Sequence, residues 1–202
     1  MPGRRIPRKP CRRVGRPGNR DRSRIGGRPV GGAGSRRAGV SAGEGRSPLL
    51  ERGDLEDWAA SIHAQGLTIA FTNGCFDLIH AGHLFGLDLA AAAADRVVVA
   101  LNSDGSVRTL KGPGRPIIGE LDRARLIAAL QPVSAVTIFG EPTPLECILR
   151  LRPDVLVKGS EYREEDIVGA REVISWGGRV LRVPMVEGLS TSEIIRAIRS
   201  LP

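Results

Sequence analysis

Residues 67–83 read LTIAFTNGCFDLIHAGH, and the fold turns on how this stretch divides. Residues 67–72 (LTIAFT) form a short, nearly continuous apolar run. Such a run suits a strand covered on both faces, because a sheet with one wet face would alternate polar and apolar side chains. Asn73-Gly74 then predicts a tight turn at the strand end. An alanine-rich helix follows over 83–94, opened by His80, Ala81, Gly82 and His83. Strand, polar turn and helix within thirty residues make one βα unit.

Outward from this unit the alternation repeats. Strands are predicted at 96–101 (RVVVAL), 135–139 (AVTIF), 154–157 (DVLV) and 179–183 (RVLRV), and helices at 121–130, 144–150, 164–175 and 192–199. Upstream, residues 55–63 (LEDWAASIH) predict a short amphipathic helix that stops near Gly66. The whole predicts an α/β fold, a Rossmann-like parallel sheet of about five strands with helices on both faces. Ligands of such sheets bind beyond the carboxyl ends of the strands, near the point where strand order reverses. TNGCFDLIHAGH sits at such an end.

The chain has 202 residues and a formal charge of +8, which invites a nucleic-acid reading. The charge is unevenly placed. Residues 1–47 hold fourteen of the 30 Lys and Arg but only Asp21 and Glu44 of the 22 acids, a balance of about +12. The remainder carries 16 basic and 20 acidic residues and is mildly acidic. Rich in Arg, Gly and Pro and poor in large apolar side chains, 1–47 is expected to be a disordered tail, with a folded domain over 48–202. The tail could touch nucleic acid electrostatically, but no aromatic residue is interleaved to stack on bases. Cys11, Cys75 and Cys147 are odd in number and widely spaced, which argues against a disulfide framework and a structural zinc site. No apolar run is long enough for a membrane span and no secretory signal opens the chain, so the expected location is cytoplasmic.

Two of the three histidines, His80 and His83, lie in one four-residue turn. At a helix start the free N–H groups and the dipole favour a phosphate, so two imidazoles there make a compact set of donors for phosphate oxygens. Gly82 between them removes a side chain where backbone must come close to a ligand. Too few His or Cys stand nearby for zinc, and no metal ligand is assigned. Lys111, beside Gly112 and Gly114 in a stretch that reads as loop, is a mobile cation suited to phosphate. Lys158 follows a buried strand directly; it and Lys111 are the only lysines of the folded part. Arg123 falls in the first turn of its helix, where a cation opposes the dipole and therefore hints at a ligand anion. Gly188, Leu189, Ser190, Thr191 and Ser192 open the last helix and offer hydroxyls and N–H groups to phosphates. Asp104, in NSDG, either meets the nucleotide or forms a local turn.

The string TNGCFDLIHAGH resembles the GxFDxxHxGH signature of the cytidylyltransferase-like nucleotidyltransferases; the HIGH motif of class I tRNA synthetases is its main confounder. The resemblance implies that His80 and His83 hold the α-phosphate and stabilise its transition state, with Lys111 assisting. It places Cys75, Phe76, Asp77, Gly82, Asp104, Arg123, Gly188, Ser190, Thr191 and Ser192 around the nucleotide, and Asn73, Lys158 and Gly159 at the second substrate. ALNSDGSVRTLKGPGRP, Arg123, VLVKGSEY and EGLSTSEII occur in the order seen in the heptose 1-phosphate adenylyltransferase branch. That likeness covers roughly residues 54–200. It departs at Ser160 and Glu161, where KGGDY is usual. The glycerol-3-phosphate cytidylyltransferases are similar, but they typically carry Arg where Met185 stands. The branch implies transfer of AMP from ATP to a sugar 1-phosphate, giving an ADP-sugar and pyrophosphate, with Mg²⁺ carried by the triphosphate. CTP with glycerol-3-phosphate is the second enzymatic expectation, and nucleic-acid binding through the tail is an expectation of another class. Some relatives are fused to a sugar kinase; the residues before the first helix are too few for one, so a separate kinase is expected. A homo-oligomer is left open.

Overall fold

A computed structural model describes residues 47–186 and 188–201. The tail expected over 1–47 lies, apart from Ser47, outside the described residues. Six parallel strands form one sheet: β1 (Leu49–Leu50), β2 (Ile69–Gly74), β3 (Arg96–Asn102), β4 (Ala135–Phe139), β5 (Val155–Gly159) and β6 (Arg179–Val183), in the order β1-β4-β3-β2-β5-β6. The five expected strands are present. The sixth, β1, is two residues beside β4, too short for any periodicity to announce. From β2 the chain builds outward through β3 to β4, then returns to place β5 on the other side of β2. The order therefore reverses between β2 and β5, and a crevice is expected at their carboxyl ends.

The strands alternate between two cores. Ile69, Phe71, Val98, Ala100 and Leu156 face α1 (Leu55–His63), α5 (Leu145–Leu151) and α6 (Ala170–Ser175). Ala70, Val97, Val99, Leu101, Val155 and Val157 face α2 (Ala81–Ala93) and α4 (Glu120–Ala128). Both faces are covered, which is why the strands carry no polar alternation.

The structure corrects three local expectations. Asn73-Gly74 is not a turn: both residues continue β2, paired with Ala100 and Leu101 of β3. The chain reverses at Phe76, in the left-handed region at φ 46°. Gly74 is small for a packing reason, since a Cβ there would sit 3.2 Å from the Phe76 ring. Second, the stretch around Lys111 is not all loop. Asp104–Lys111 is a helix, α3, whose N-cap Ser103 accepts a hydrogen bond from the Ser106 N–H (3.2 Å) and which ends at Gly112, φ 89°. Only Val107 of α3 is buried, so almost no apolar stripe marks it. Third, the helix expected over 164–175 is broken. Residues Glu164–Asp166 make one tight turn, Gly169 adopts φ 86° against Ile148, and α6 begins after it.

Candidate active site

Beyond the carboxyl ends of the strands lies a cleft of about 570 Å³, lined by residues of the HxGH turn, the ends of β2, β3 and β5, the end of α3 and the start of α7 (Thr191–Arg199). His80 is the N-cap of α2, in extended backbone (φ −142°, ψ 169°), and His83 is the third helical residue. The two imidazoles stack, with centroids 3.8 Å apart and planes 26° from parallel, and Phe76 lies 4.8 Å from the His83 ring. The His80 backbone N–H donates to His83 Nδ1 at 3.4 Å. Burial pushes the His83 imidazole down to about 4. Burial also lowers His80, where Glu193 opposes the shift. Gly82 is needed by the histidine itself: a Cβ would sit 3.0 Å from His80 Nδ1 and 3.5 Å from the Leu189 carbonyl.

The start of α7 closes over this turn. Ser190 caps the helix, its Oγ accepting from the Glu193 N–H at 3.1 Å, and Thr191 Oγ1 donates to the Leu78 carbonyl at 3.4 Å. Two helix N-termini thus border one cleft, a concentration of positive dipole ends suited to anions. Ser190, Thr191 and Ser192 line the cleft; Gly188, at φ 74°, shapes the preceding turn and is not among the lining residues. Lys111, the last residue of α3, lines the cleft on the β3 side, with the half-buried Cys75 nearby. Lys158 lines the β5 side, where its ammonium donates to Asn73 Oδ1 and burial pushes its pKa down to about 8. Gly159, Glu161 and Tyr162 complete that wall; a Cβ on Gly159 would collide with the Glu161 carboxylate.

Three residues expected to touch the nucleotide are occupied elsewhere. Arg123 is fully buried, at 0 % exposure, and is not a cleft residue. Its guanidinium donates to the carbonyls of Ile118 (2.9 Å), Cys75 and Asn102 (2.8 Å) and to Asp104 Oδ1 (2.8 Å). The cation in the first turn of α4 answers protein carbonyls and a protein carboxylate, not a ligand anion. Asp104 is that carboxylate. Asp77, 1 % exposed, accepts from Arg115 Nε (2.6 Å) and from the N–H groups of Ile117 (2.7 Å) and Ile118 (3.0 Å). Its side chain staples the loop before α4 to the HxGH turn. Sequence reasoning missed Arg115 and Asn102: Arg115 lies in the quoted GPGRP string, but its partner is 38 residues away.

The Cytidylyltransferase-like family matches residues 71–197. Among curated proteins, the bifunctional protein HldE of Methylobacillus flagellatus is 55% identical over 136 residues, 67% of this chain and 28% of that protein. Its namesake in Koribacter versatilis is 52% identical over 150 residues, 74% of this chain and 31% of that one. The one in Magnetococcus marinus is 48% identical over 173 residues, 80% and 36% respectively. The chain therefore spans roughly a third of the length of the curated relatives it matches. A crystal structure of the lipopolysaccharide core biosynthesis protein from Thermoplasma volcanium aligns with a TM-score of 0.49 at 23% identity, covering 60% of this chain and 98% of that one. Among the described residues no helix is long and apolar enough to cross a membrane. The family match runs from the middle of β2 into α7, so it takes in the stacked histidines and the capped helix start that borders them, and by that match the chain belongs to the Cytidylyltransferase-like family.

Proposed function

We propose that the chain is a nucleotidyltransferase that moves AMP from ATP to a sugar 1-phosphate, D-glycero-β-D-manno-heptose 1-phosphate, giving ADP-heptose and pyrophosphate. The observation that carries the reading is the stacked His80–His83 pair at the start of α2, in a cleft that a second helix start also borders. The identity of about half with HldE proteins over two thirds or more of this chain supports the heptose acceptor. Those relatives are named bifunctional, and the matched third accounts for one of two activities.

In this reading an oxygen of the acceptor phosphate attacks the α-phosphorus in line, a P–O bond forms, and the bond to the bridging oxygen breaks with pyrophosphate leaving. His80, His83 and the N–H groups of α2 stabilise the charge on the equatorial oxygens, and Lys111, Ser190 and Thr191 hold the departing phosphates. Lys158 and Asn73 hold the second substrate. Mg²⁺ would arrive on the triphosphate and screen its charge there. The test is to mix protein, Mg²⁺ and ATP with heptose 1-phosphate and weigh the product, with CTP and glycerol-3-phosphate as the competing pair. ADP-heptose formed at much higher kcat/KM supports the reading; preference for the cytidine pair overturns it.

A further inference from the structure

We infer that His80 and His83 meet phosphate as neutral imidazoles, each donating through Nε2–H, and that the positive charge of the site comes from lysine and helix N–H groups. This rests on the phosphate-facing role proposed above and concerns which atom of each ring carries the proton.

At His83 the geometry is explicit. Nδ1 accepts the backbone N–H of His80, so its lone pair is in use and the ring proton belongs on Nε2. Protonating Nδ1 would set N–H against N–H at the first turn of α2 and break that contact. At His80, Nδ1 is buried without a hydrogen-bond partner among the described residues, close to where a Gly82 Cβ would lie. A proton there would be a buried donor with no acceptor, beside helix N–H groups that already repel positive charge. Stacking at 3.8 Å adds a third constraint, since two imidazoliums at that distance repel strongly. A helix N-terminus is a recognised way of keeping a catalytic imidazole neutral.

The charged groups around the pair act in both directions. Glu193, from the start of α7, opposes the lowering at His80. Lys111 from α3 and Lys158 after β5 line the same cleft, as does Glu161, while Asp77 and Arg115 are paired with each other. Burial outweighs Glu193 at His80, and at His83 burial and the neighbouring His80 both act downward, taking both rings below the ordinary histidine value.

The direct test is long-range ¹H–¹⁵N NMR on the full chain carrying ¹⁵N-histidine, without nucleotide, with the surface residue His63 as internal reference. At about pH 7 both cleft rings are expected in the neutral Nε2–H form. An imidazolium, or an Nδ1–H tautomer, at either ring overturns the inference. That outcome is read without turnover, so it stands apart from the fate of the proposed reaction. A second test uses substitution. Gln places its amide N–H near the position of Nε2, and Asn places it near Nδ1. His83→Gln is expected to retain at least about ten-fold more kcat than His83→Asn, whose loss should approach the roughly 10²–10³ typical of a lost charge-stabilising donor. Equal losses, or a better Asn variant, overturn the assignment; if neither variant folds, the NMR experiment decides. The wild-type rate should not fall as pH rises through about 6.5, the ordinary histidine value. A fall there would show that an imidazolium does the work.

Discussion

Replacing Arg123 by Met removes a charge and no apolar volume, so its consequences follow from hydrogen bonds alone. The guanidinium holds three carbonyls, from Ile118, Cys75 and Asn102, and the Asp104 carboxylate. Asn102 is itself buried and Arg123 has no exposure, so those carbonyls gain no water in exchange. Breaking a buried ion pair by removing one partner costs about 3–5 kcal/mol. Asp104 is 28 % exposed and recovers part of its hydration, which places the expected loss near the lower end, about 3 kcal/mol. For a folded part of this size each kcal/mol moves the midpoint by about 2–4 °C, so Tm should fall by roughly 10 °C. Arg123→Lys keeps the charge but cannot fork to four acceptors, and should fall between the two. Activity supplies the second readout. The Cys75 carbonyl precedes Phe76, the positive-φ residue whose ring lies beside His83, so its loss should loosen the imidazole pair. Measured well below the new midpoint, kcat should drop by more than KM for the nucleotide rises. Circular-dichroism melts and initial rates suffice. A Tm within about 2 °C of wild type would refute the brace, and a raised KM with unchanged kcat would return Arg123 to the nucleotide.

Asp77→Asn leaves an amide facing three donors of which it can accept from at most two, and a loss of about 2–4 kcal/mol with a disordered 115–118 loop is expected, read by thermal melts and amide exchange. Gly82→Ala drives a methyl against the His80 ring and the Leu189 carbonyl, so turnover should fall with little change in secondary structure by circular dichroism. His83 is held near 4 in the fold against about 6.5 unfolded, so between those values the unfolded chain binds more protons; stability is full above about pH 6.5 and declines toward pH 4 by up to about 3 kcal/mol, and His83→Gln should flatten that part of a urea-midpoint profile. Lys158 loses its charge near pH 8, so kcat/KM should fall above that value, and Lys158→Arg should carry the limb out of the accessible range.

The features that sequence reveals here are those whose physics is local. β2 to β5 are legible because each carries an apolar run lying between two covered faces, and β6, at the sheet edge, because Val180, Leu181 and Val183 stand together. The histidine turn is legible because donor residues three positions apart share one helix start whatever the rest of the chain does. α3 escapes because a single buried residue, Val107, anchors it and its cap lies in Ser103 and Ser106, which equally suit a turn. Phe76 escapes because Asn-Gly is the stronger turn signal, and only the packing of its ring on Gly74 and against His83 shows where the chain must bend. Arg123 stands out in the sequence as a cation at a helix start, but the groups it donates to do not. Its acceptors lie up to 48 residues away, and no spacing rule reaches that far.

Those long-range pairs also bear on how a cleft proposed to take polyanions tolerates carboxylates at its edge. Asp77 and Asp104 stand at the carboxyl ends of the strands, where bare negative charge would repel a triphosphate. Each is met by an arginine within hydrogen-bonding distance, Asp77 by Arg115 and Asp104 by Arg123, with Asp77 and the Arg123 guanidinium out of solvent. The two pairs sum to no net charge, yet between them they tie the turn after β2, the start of α3 and the loop before α4. With those acids neutralised, the field in the cleft comes from Lys111, Lys158 and two helix starts, opposed by Glu161 on the β5 wall and by Glu193 beside His80. Preorganised donors of this kind need no rearrangement as charge develops on phosphorus, which is the condition under which electrostatic stabilisation contributes most. Arginine, with its rigid fork, suits the braces, where several fixed acceptors must be met at once.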